Sequence, residues 1–496
     1  MPGNRGGFRD RMVVTMLAVI LVIGGGAIGG GSTGTAAAQS IGSTGSAGGE
    51  GSVGTGSWTD GTGSDGTASN GTTSVTGSLG TASYARSPLG SWMPGVVGSL
   101  ISEPDLDPPG LETLRAEMMP SPLGEPFFDE YPPGLDAMEN GEVIETRDVT
   151  PVARQLLSEP VREVRQFKVK TTDAADEPSF ATATLIVPAA PWPGPGPRPV
   201  VVNNVPINGL GRACTPSYTL AHGITPSTNP YERLRPVTTQ AEQRGYAVLI
   251  TDHEGPRMAY GEPIVAGRAI LDTIRGMRNL YPAEFGDSKL ALTGYSGGSI
   301  ATHGAVKLID SYAPELADDI VGAALGGLPA DFEMLGRTMN GNLASGYFLA
   351  ALFGVMREHP ETLPLINDLG QRLLISSLKD QCISDLALLG VLHIPVEALA
   401  NVKSALNTPV AHDIYTDLKM EDLKSGTPLY IFHGGQEFWV PVLGARNLFD
   451  EQCGYGVDTV YRQVPGEHII APFTGTPGAF DWIDARLAGE PAPSDC

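Results

Sequence analysis

The sequence predicts an α/β fold, a mostly parallel sheet flanked by helices, from three observations. Apolar runs of strand length recur along the chain after residue 160. Segments with helical periodicity separate these runs, which is typical of a parallel sheet whose strands are joined by helical crossovers. The hydrophobic content of 41% supplies enough apolar side chains for a sizeable core.

Seven segments rich in β-branched and other apolar residues are predicted as strands: VREVRQFKVKT (161–171), FATATLIVP (180–188), RPVVVNNV (198–205), GYAVLITD (245–252), KLALTGYS (289–296), the start of TPLYIFHGGQEFWVPV (427–442) and the start of DTVYRQVPGEHIIAPF (458–473). Helical stretches are predicted between strands at LAHGITPSTNPYERLRPVTTQAEQRG and AGRAILDTIRGMRNLYP. A further helix is predicted in GGSIATHGAVKLIDSYAPEL, from Gly297 to about Tyr312. Ligands of such a sheet bind at the carboxyl ends of its strands. Residues that end a strand are therefore the first candidates for a site.

The first 38 residues have the pattern of a secretory signal peptide. Arg5, Arg9 and Arg11 precede the apolar run MVVTMLAVILVI, and TAAAQS supplies small residues for cleavage near Ala38. A membrane anchor is the alternative, but twelve apolar residues fall short of the roughly 20 that a spanning helix needs. We therefore expect a secreted, extracellular protein, or one associated with the cell envelope.

Residues 39–124 are predicted to form a disordered linker, rich first in Gly, Ser and Thr and then in Pro. From Gln39 to Ala85 large apolar side chains are scarce, so this stretch cannot bury enough surface to fold. As a flexible coil it would span roughly 35–40 Å, enough to hold a folded body away from a membrane or cell-wall surface. The favoured interpretation of this linker is a passive spacer. The folded domain is expected at 125–496, beginning near FFDEYPPGL.

The charge balance argues against nucleic acid as a partner. The chain has 32 Lys and Arg against 55 Asp and Glu, a net charge of −23, and it has no basic run that would neutralise phosphates.

Four cysteines in an exported chain indicate two disulfides. They are Cys214, Cys382, Cys453 and Cys496, and three pairings are open. Metal binding is the alternative, but no CxxC or HExxH spacing occurs. We expect no metal.

The stretch ALTGYSGGSI places Ser296 in a G-x-S-x-G pattern with Gly294 and Gly298. This pattern is typical of a nucleophile elbow, where a strand turns sharply into a helix and exposes the serine. By itself the pattern is weak, because the glycine-rich N-terminal segment contains a second match at Ser32. Only Ser296 lies between a predicted strand and a predicted helix, so it is the candidate nucleophile. A structural turn and a phosphate loop are the alternatives, and the GxxxxGK[ST] lysine of a phosphate loop is missing.

A serine nucleophile needs a histidine that takes its proton and an acid that orients the histidine. Around a nucleophile elbow of this kind the chain order is serine, acid, histidine. Glu437 follows one late strand and His468 follows the next, and of the eight histidines only His468 comes after Glu437. Asp331, at the end of an earlier strand, and Glu467, the neighbour of His468, are the alternative acids.

An oxyanion hole requires N–H groups aimed at the developing negative charge. One is expected from Gly297, the residue after the nucleophile, and the other from the loop after RPVVVNNV, within 207–209. We take Asn208 as the second residue of the hole.

These motifs resemble those of the secretory lipases of the α/β-hydrolase superfamily, a group that includes Candida lipase A and many secreted actinobacterial lipases. The resemblance runs from about Phe127 to the C-terminus, through FFDEYPPGL, NGLGRACTPSY, GYAVLITDHEGP, TGYSGG, YAPELADDIVGAALGGLPADF, HGGQEFWVP and GEHI. The family motif HGxxDxxVP has an aspartate where this chain has Glu437. Glutamate serves as the triad acid elsewhere in the superfamily, so Glu437 is kept in that role.

The resemblance implies an α/β-hydrolase fold and the disulfide pairs Cys214–Cys382 and Cys453–Cys496. It also implies a helical cap over the site, since Ser296 and Glu437 are 141 residues apart. The insertion is expected at about 333–418, with helices at GYFLAALFGVM (346–356) and IPVEALANVKSAL (394–406). Ordinary core packing of these apolar helices is the alternative.

The function implied by the resemblance is that of a serine hydrolase cleaving carboxylic esters of lipids, a triacylglycerol lipase or carboxylesterase that works through an acyl-enzyme without a cofactor. A peptidase or polyester hydrolase with the same triad stays open, as does a non-catalytic, wall-associated scaffold. We expect a monomer whose partner is its lipid ester substrate, with association to a membrane or cell-wall surface as a further hypothesis.

Overall fold

The computed structural model of the protein describes residues 108–225, 228–229 and 236–496. The signal peptide predicted for 1–38 and the greater part of the predicted linker, 39–107, lie outside the described residues. Within them, no helix is long and apolar enough to cross a membrane.

Nine strands of the described chain form one sheet in the order β1-β2-β3-β5-β4-β6-β7-β8-β9. They are β1 (Val143–Asp148), β2 (Val161–Thr172), β3 (Pro178–Pro188), β4 (Val200–Asn204), β5 (Ala247–Thr251), β6 (Leu290–Tyr295), β7 (Ile320–Gly326), β8 (Leu429–Gly434) and β9 (Thr459–Val464). Strands β4 to β9 pair in parallel, and β1, β2 and β3 extend the sheet antiparallel from β5. The sheet is therefore mostly parallel, as predicted, with an antiparallel edge.

Helices precede, follow and separate the strands of this sheet. They are α1 (Pro108–Glu117), α2 (Pro126–Asp129), α3 (Thr150–Ala153), α4 (Pro216–His222), α5 (Pro236–Gln243), α6 (Pro263–Leu280), α7 (Pro282–Phe285), α8 (Gly297–Tyr312), α9 (Phe332–Met339), α10 (Ser345–Met356), α11 (Asp368–Leu374), α12 (Ile383–Leu389), α13 (Pro409–Lys419), α14 (Val442–Gly454) and α15 (Ala471–Leu487). The predicted helices at 266–282 and from Gly297 to about Tyr312 correspond to α6 and α8.

Apolar side chains are buried on both faces of the sheet. In β5, Leu249 belongs to the cluster beneath α6 and α8, whereas Val248 and Ile250 belong to the cluster that includes Ile483 of α15. Side chains alternate between the faces of a strand, so a strand covered on both sides reads as a continuous apolar run. Short, continuous apolar runs such as AVLIT therefore predict the central strands.

The folded domain begins before residue 125, so the predicted extent of the linker is wrong for residues 110–124. Leu114 of α1 and Met118 are 6% and 1% exposed. The backbone N–H and hydroxyl of Ser121 donate to the Asp380 carboxylate at 2.7 and 2.8 Å. The spacing of Leu111, Leu114 and Met118 produces one apolar helix face, which the proline content of the segment obscured.

The segment between β7 and β8 contains α9 to α13, where the cap insertion was predicted. The predicted helix GYFLAALFGVM is present as α10. The predicted helix at 394–406 is wrong, because only short 3-10 turns form there, at Val396–Ala398 and Ala405–Asn407. The side-chain amide of Asn367 donates hydrogen bonds to the carbonyl oxygens of Ala398 and Ala400. In a continuous helix these carbonyl oxygens would accept backbone N–H groups of the helix instead.

Candidate active site

Ser296 lies in a strained turn between β6 and α8. Its φ and ψ are 53° and −121°, a conformation that costs a residue with a side chain of the order of 1–3 kcal/mol. Its backbone N–H donates to the carbonyl oxygen of Gly326 on β7 at 2.9 Å, which anchors the turn to the sheet. The strand, turn and helix predicted around ALTGYSGGSI are therefore all present.

The two glycines of the G-x-S-x-G pattern are required by close backbone approach. A Cβ atom on Gly294 would lie 2.1 Å from the carbonyl oxygen of Gly298, and one on Gly298 would lie 1.8 Å from that of Asn204. Both distances are far below van der Waals contact. The turn can keep α8 this close to β6 and β4 only if both positions lack a side chain.

Two hydrogen bonds link Ser296 to His468 and His468 to Glu437, and we call these three residues the hydrogen-bonded row. The Oγ atom of Ser296 is 2.9 Å from Nε2 of His468, and Nδ1 of His468 is 2.8 Å from Oε2 of Glu437. The side chains of His468 and Glu437 are 11% and 1% exposed. Glu437 and His468 follow β8 and β9, and since these strands are parallel neighbours their carboxyl ends deliver both residues to one edge of the sheet.

The loop after β8 fixes the Glu437 carboxylate. Its Oε1 atom accepts backbone N–H groups from Phe438, Trp439 and Val440 at 2.9, 2.8 and 3.2 Å. Burial by itself would raise the pKa of Glu437, but the hydrogen bond and charge of His468 and the loop N–H groups together lower it. An ionised carboxylate accepts hydrogen bonds but donates none, so the proton of the His468 ring is on Nδ1. Nε2 is then free to accept a hydrogen bond from the Ser296 hydroxyl.

The alternative acids have other partners. Asp331 caps α9 by accepting the Met334 N–H at 2.9 Å, and it forms an ion pair with Lys419 at 3.2 Å. Glu467 accepts the N–H of Ile469 at 2.8 Å. Of the three carboxylates considered from the sequence, the structure brings Glu437 to His468.

Two further side chains support the row and were not singled out from the sequence. The Tyr295 hydroxyl donates to the carbonyl oxygen of His468 at 2.7 Å. His433, fully buried on β8, has Nε2 3.0 Å from the carbonyl oxygen of Val440 and so holds the loop that surrounds Glu437. Tyr295 occupies a position that the G-x-S-x-G pattern leaves open, so the pattern does not indicate it. His433 precedes Glu437, so the order serine, acid, histidine does not select it.

Asn208 and Gly297 lie together at the N-terminus of α8. Asn208 is 5% exposed, has a φ of 48° and lines the cavity beside Ser296. A Cβ atom on Gly297 would come within 1.8 Å of Oδ1 of Asn208, so the Asn208 amide lies directly over the start of the helix. The first N–H groups of a helix have no partner within it, and negative charge is favoured there.

An apolar cavity opens beside Ser296 and His468. Phe332, Leu335 and Met339 of α9 and Phe348 and Ala351 of α10 line it. The insertion between β7 and β8 therefore walls the cavity as well as packing on the core. Among the described residues no group of His, Cys, Asp and Glu side chains is placed to hold a metal ion.

Two disulfides link distant segments near the site and at the C-terminus. Cys214 is bonded to Cys382, and Cys453 to Cys496. The first joins the loop after β4, which carries Asn208, to the start of α12 in the insertion. The second ties the last residue of the chain to α14.

The sheet order and the strained serine between a parallel strand and a helix define an α/β-hydrolase. The model of the family described as secretory lipase matches residues 236–495. Lipase A of Moesziomyces aphidis is 31% identical over 410 residues, covering 78% of this chain and 86% of that protein. Lipase 2 of Candida albicans is 27% identical over 417 residues, covering 78% and 86%. The chain belongs to the secretory lipase family.

Solved structures agree with this assignment. Candida antarctica lipase A superposes with a TM-score of 0.67 at 28% identity, over 76% of this chain and 89% of that chain. The rice cell wall degrading esterase LipA from Xanthomonas oryzae superposes at 0.55 with 14% identity, over 71% of this chain and 100% of that chain, and shows the fold alone. The predicted fold class and the predicted family are both confirmed. Membership of a secretory family implies an extracellular location.

Proposed function

We propose that the protein is a secreted hydrolase of carboxylic esters of lipids, a triacylglycerol lipase or carboxylesterase, in which Ser296, His468 and Glu437 are the catalytic residues. One observation carries the proposal. The hydrogen-bonded row from Glu437 through His468 ends at the Ser296 oxygen, and that oxygen lies at an apolar cavity.

In the proposed reaction Ser296 Oγ attacks the ester carbonyl while Nε2 of His468 takes its proton. The tetrahedral intermediate collapses, the alcohol leaves with that proton, and an acyl-enzyme remains. Water then attacks the acyl-enzyme, again through Nε2 of His468, and releases the carboxylic acid. Glu437 stays ionised throughout and stabilises the imidazolium form of His468 at each step.

The N-terminus of α8 is proposed as the oxyanion hole. The Gly297 N–H and the side-chain Nδ2–H group of Asn208 donate to the carbonyl oxygen and stabilise its negative charge. Each such donor contributes about 3–4 kcal/mol to transition-state stabilisation in related chemistry. The close packing of Asn208 on Gly297 supports a shared role for the two residues.

The cavity supports an aliphatic acyl group as the substrate part that binds next to Ser296. Phenylalanine, leucine and methionine side chains of α9 and α10 form its wall, and apolar surface favours a hydrocarbon chain over a peptide backbone, whose polar groups would be left unpaired there. The reaction needs only groups of the protein itself and water. We propose a monomer with a lipid ester as its substrate.

Activity needs a direct test, because one relative, 28% identical over 400 residues, is named a probable inactive lipase of Mycobacterium tuberculosis. The wild-type protein and Ser296→Ala should be compared by fluorophosphonate labelling and by turnover of p-nitrophenyl esters. We expect labelling and turnover of the wild type alone, with unchanged circular dichroism. A wild type that neither labels nor turns over any ester would favour a non-catalytic scaffold, and preference for peptides or polyesters would favour those alternatives.

A further inference from the structure

Arg357 is a fully buried arginine that directly follows α10, and it is 1% exposed. Its guanidinium donates hydrogen bonds to four carbonyl oxygens, from Nη1 to those of Leu210, Arg257 and Met258 at 2.8, 2.8 and 3.1 Å, and from Nη2 to that of Lys379 at 3.0 Å. These carbonyl groups belong to the loop after β4, the loop after β5 and the turn before α12. Arg357 therefore links the insertion between β7 and β8 to two loops of the core.

The Arg357 guanidinium is charged at neutral pH. Burial lowers its pKa to about 10, and the charges of Glu254 and Asp380 oppose this shift. A buried charge is costly unless hydrogen bonds compensate it, and hydrogen bonds to a charged group are roughly twice as strong as neutral ones. The carbonyl groups that surround Arg357 are therefore held more firmly than by ordinary backbone contacts.

One of these carbonyl groups belongs to the loop that carries Asn208. Leu210 is two residues after Asn208, and its backbone is held on both sides. Its carbonyl oxygen accepts from Arg357 at 2.8 Å, and its N–H donates to the carbonyl oxygen of Gln381 at 3.0 Å. Asn208 has a φ of 48°, a left-handed conformation that persists only where the surroundings fix it. The contacts of Leu210 supply such fixation.

A buried carboxyl acts on the same loop. Glu254 follows β5 and is 2% exposed. Burial raises the pKa of Glu254 well above its usual range, whereas the backbone N–H groups of Asn208 and Gly209 and the charge of Arg357 lower it. Arg357 and Glu254 thus interact with one loop, the first through a carbonyl group and the second through N–H groups.

We propose that Arg357 is a positioning residue for the oxyanion hole, because by holding the carbonyl group of Leu210 it places Asn208 over Gly297. The proposal rests on the proposed function. Arg357 acts through the loop and not on the substrate, since it is not among the residues that line the cavity beside Ser296. The geometry of the hole then depends on the insertion, to which the guanidinium belongs.

The main test is Arg357→Met, which removes the four hydrogen bonds and keeps much of the apolar stem. Both halves of the proposed reaction pass through an oxyanion, so kcat for p-nitrophenyl butyrate should fall roughly 10- to 100-fold. KM should be unchanged, because the cavity keeps its lining residues.

An alkyl trifluoromethyl ketone reports on the oxyanion hole directly. Ser296 Oγ bonds to its carbonyl carbon, the Oγ proton passes to Nε2 of His468, and the carbonyl oxygen becomes an alkoxide in the hole. The inhibition constant should rise in Arg357→Met by the same factor as kcat/KM falls. General loosening of the fold would not link the two quantities in this way.

Arg198→Met is the matched control. Arg198 is 6% exposed, and its guanidinium also bridges two loop carbonyl groups, those of Gly245 and Ala190, at 2.6 Å each. It precedes β4 and so lies at the opposite edge of the sheet from Ser296, which follows β6. Arg198→Met should lose stability as Arg357→Met does, but its kcat and inhibition constant should stay within about twofold of the wild type. Near-ultraviolet circular dichroism shows that both variants are folded in the assay.

Arg357→Lys is the milder variant and carries the test if Arg357→Met does not fold. It keeps the charge, but one ammonium group lacks the planar fork with which a guanidinium bridges several acceptors. Its kcat should fall about threefold or more and exceed that of Arg357→Met. Wild-type kcat in either folded Arg357 variant would overturn the proposal, as would an equal loss in Arg357→Met and Arg198→Met. A rise in KM with unchanged kcat would also overturn it, because Arg357 would then shape the cavity and not the hole.

Amide hydrogen exchange provides a readout that needs no activity. The Leu210 N–H should exchange about tenfold faster in Arg357→Met than in the wild type or Arg198→Met, since its loop opens more often. If the wild type is inert toward every ester while this exchange depends on Arg357, the proposed function is wrong and the link between Arg357 and the loop stands. If the wild type is active and the exchange is independent of Arg357, the positioning proposal alone is wrong.

Discussion

The hydroxyl of Tyr295 donates a 2.7 Å hydrogen bond to the backbone carbonyl oxygen of His468. The residue before the proposed nucleophile thus holds the backbone of the proposed base. The Tyr295 and His468 rings are also in contact, with centroids 5.3 Å apart. The β6 turn and the loop after β9 are therefore fixed to each other by the side chain that stands between them.

Removing this hydroxyl should slow catalysis without weakening substrate binding. In Tyr295→Phe the ring contact stays and the hydrogen bond is lost, at a cost of about 1 kcal/mol, so kcat should fall about fivefold. KM for p-nitrophenyl butyrate should be unchanged, because Tyr295 is not among the residues that line the cavity. A rise in KM with unchanged kcat would contradict a positioning role.

The position of Ser296 could be predicted because strand, helix and serine are all local features. Buried parallel strands are short apolar runs, and the elbow adds two glycines at fixed spacing. His468 followed from chain order alone. These predictions depend on neighbours in sequence, where patterns are informative.

Other features depend on contacts between residues far apart in sequence. The Tyr295–His468 hydrogen bond joins positions 173 residues apart, and no pattern in either segment indicates it. Strand β1 escaped prediction because its residues VIETRD are largely polar or exposed, as suits an edge. Residues 394–406 have helical composition, but the Asn367 side chain donates to the carbonyl oxygens of Ala398 and Ala400. A tertiary contact of this kind overrides local helix propensity.

The identity of the catalytic acid can be tested by two isosteric changes. Glu437→Gln keeps the shape of the side chain but removes its charge, so kcat should fall by about 10³ to 10⁴. Asp331→Asn affects the α9 cap and the ion pair with Lys419, neither of which involves His468. It should leave kcat unchanged and cost less than about 1 kcal/mol of stability, because asparagine caps a helix about as well as aspartate and only the ion pair is lost.

Measuring both kcat and the urea midpoint of each variant separates a loss of catalysis from a loss of stability. A large loss of kcat in Asp331→Asn with full activity in Glu437→Gln would reverse the assignment. Glu437→Asp is informative as well. The shorter side chain cannot bind the three loop N–H groups and His468 Nδ1 together without moving the loop, so we expect an intermediate loss of kcat.

Stability should fall with rising pH because of Glu262, which is 1% exposed at the start of α6. Burial raises its pKa to about 7, with the charge of Glu358 adding to the shift and that of His359 and the Val265 N–H opposing it. A raised carboxyl pKa means that the folded state holds the proton more tightly. The stability that protonated Glu262 contributes is therefore fully present below the unfolded-state pKa of about 4.3, and it is lost as pH rises through 7.

Glu262→Gln should abolish this part of the pH dependence. At pH 8 the variant should be more stable than the wild type by about 1–3 kcal/mol, since it no longer has to ionise a buried group, and at pH 5 the two should be nearly equal. Urea unfolding at pH 5 and pH 8 checks the prediction. Equal differences between the variant and the wild type at both pH values would show that ionisation of Glu262 is not the cause.

The two disulfides should differ in what their removal does to activity. In the chain-entropy description, the bonds close loops of 168 and 43 residues and contribute about 5 and about 4 kcal/mol. Both double serine variants should therefore unfold at lower urea concentrations. Only Cys214–Cys382 also supports the site, because it lies under the loop that carries Asn208 and packs with Ile207 and Met258.

Replacing Cys214 and Cys382 by serine should therefore lower kcat about tenfold or more under conditions where the variant is still folded, since the loop with Asn208 loses its tie to α12. Replacing Cys453 and Cys496 should leave kcat unchanged under the same conditions, because that bond holds only the C-terminal residue to α14. Near-ultraviolet circular dichroism at the assay temperature shows that both variants are folded. If the two folded variants lose kcat equally, the loss reflects general loosening of the fold and not the position of Asn208.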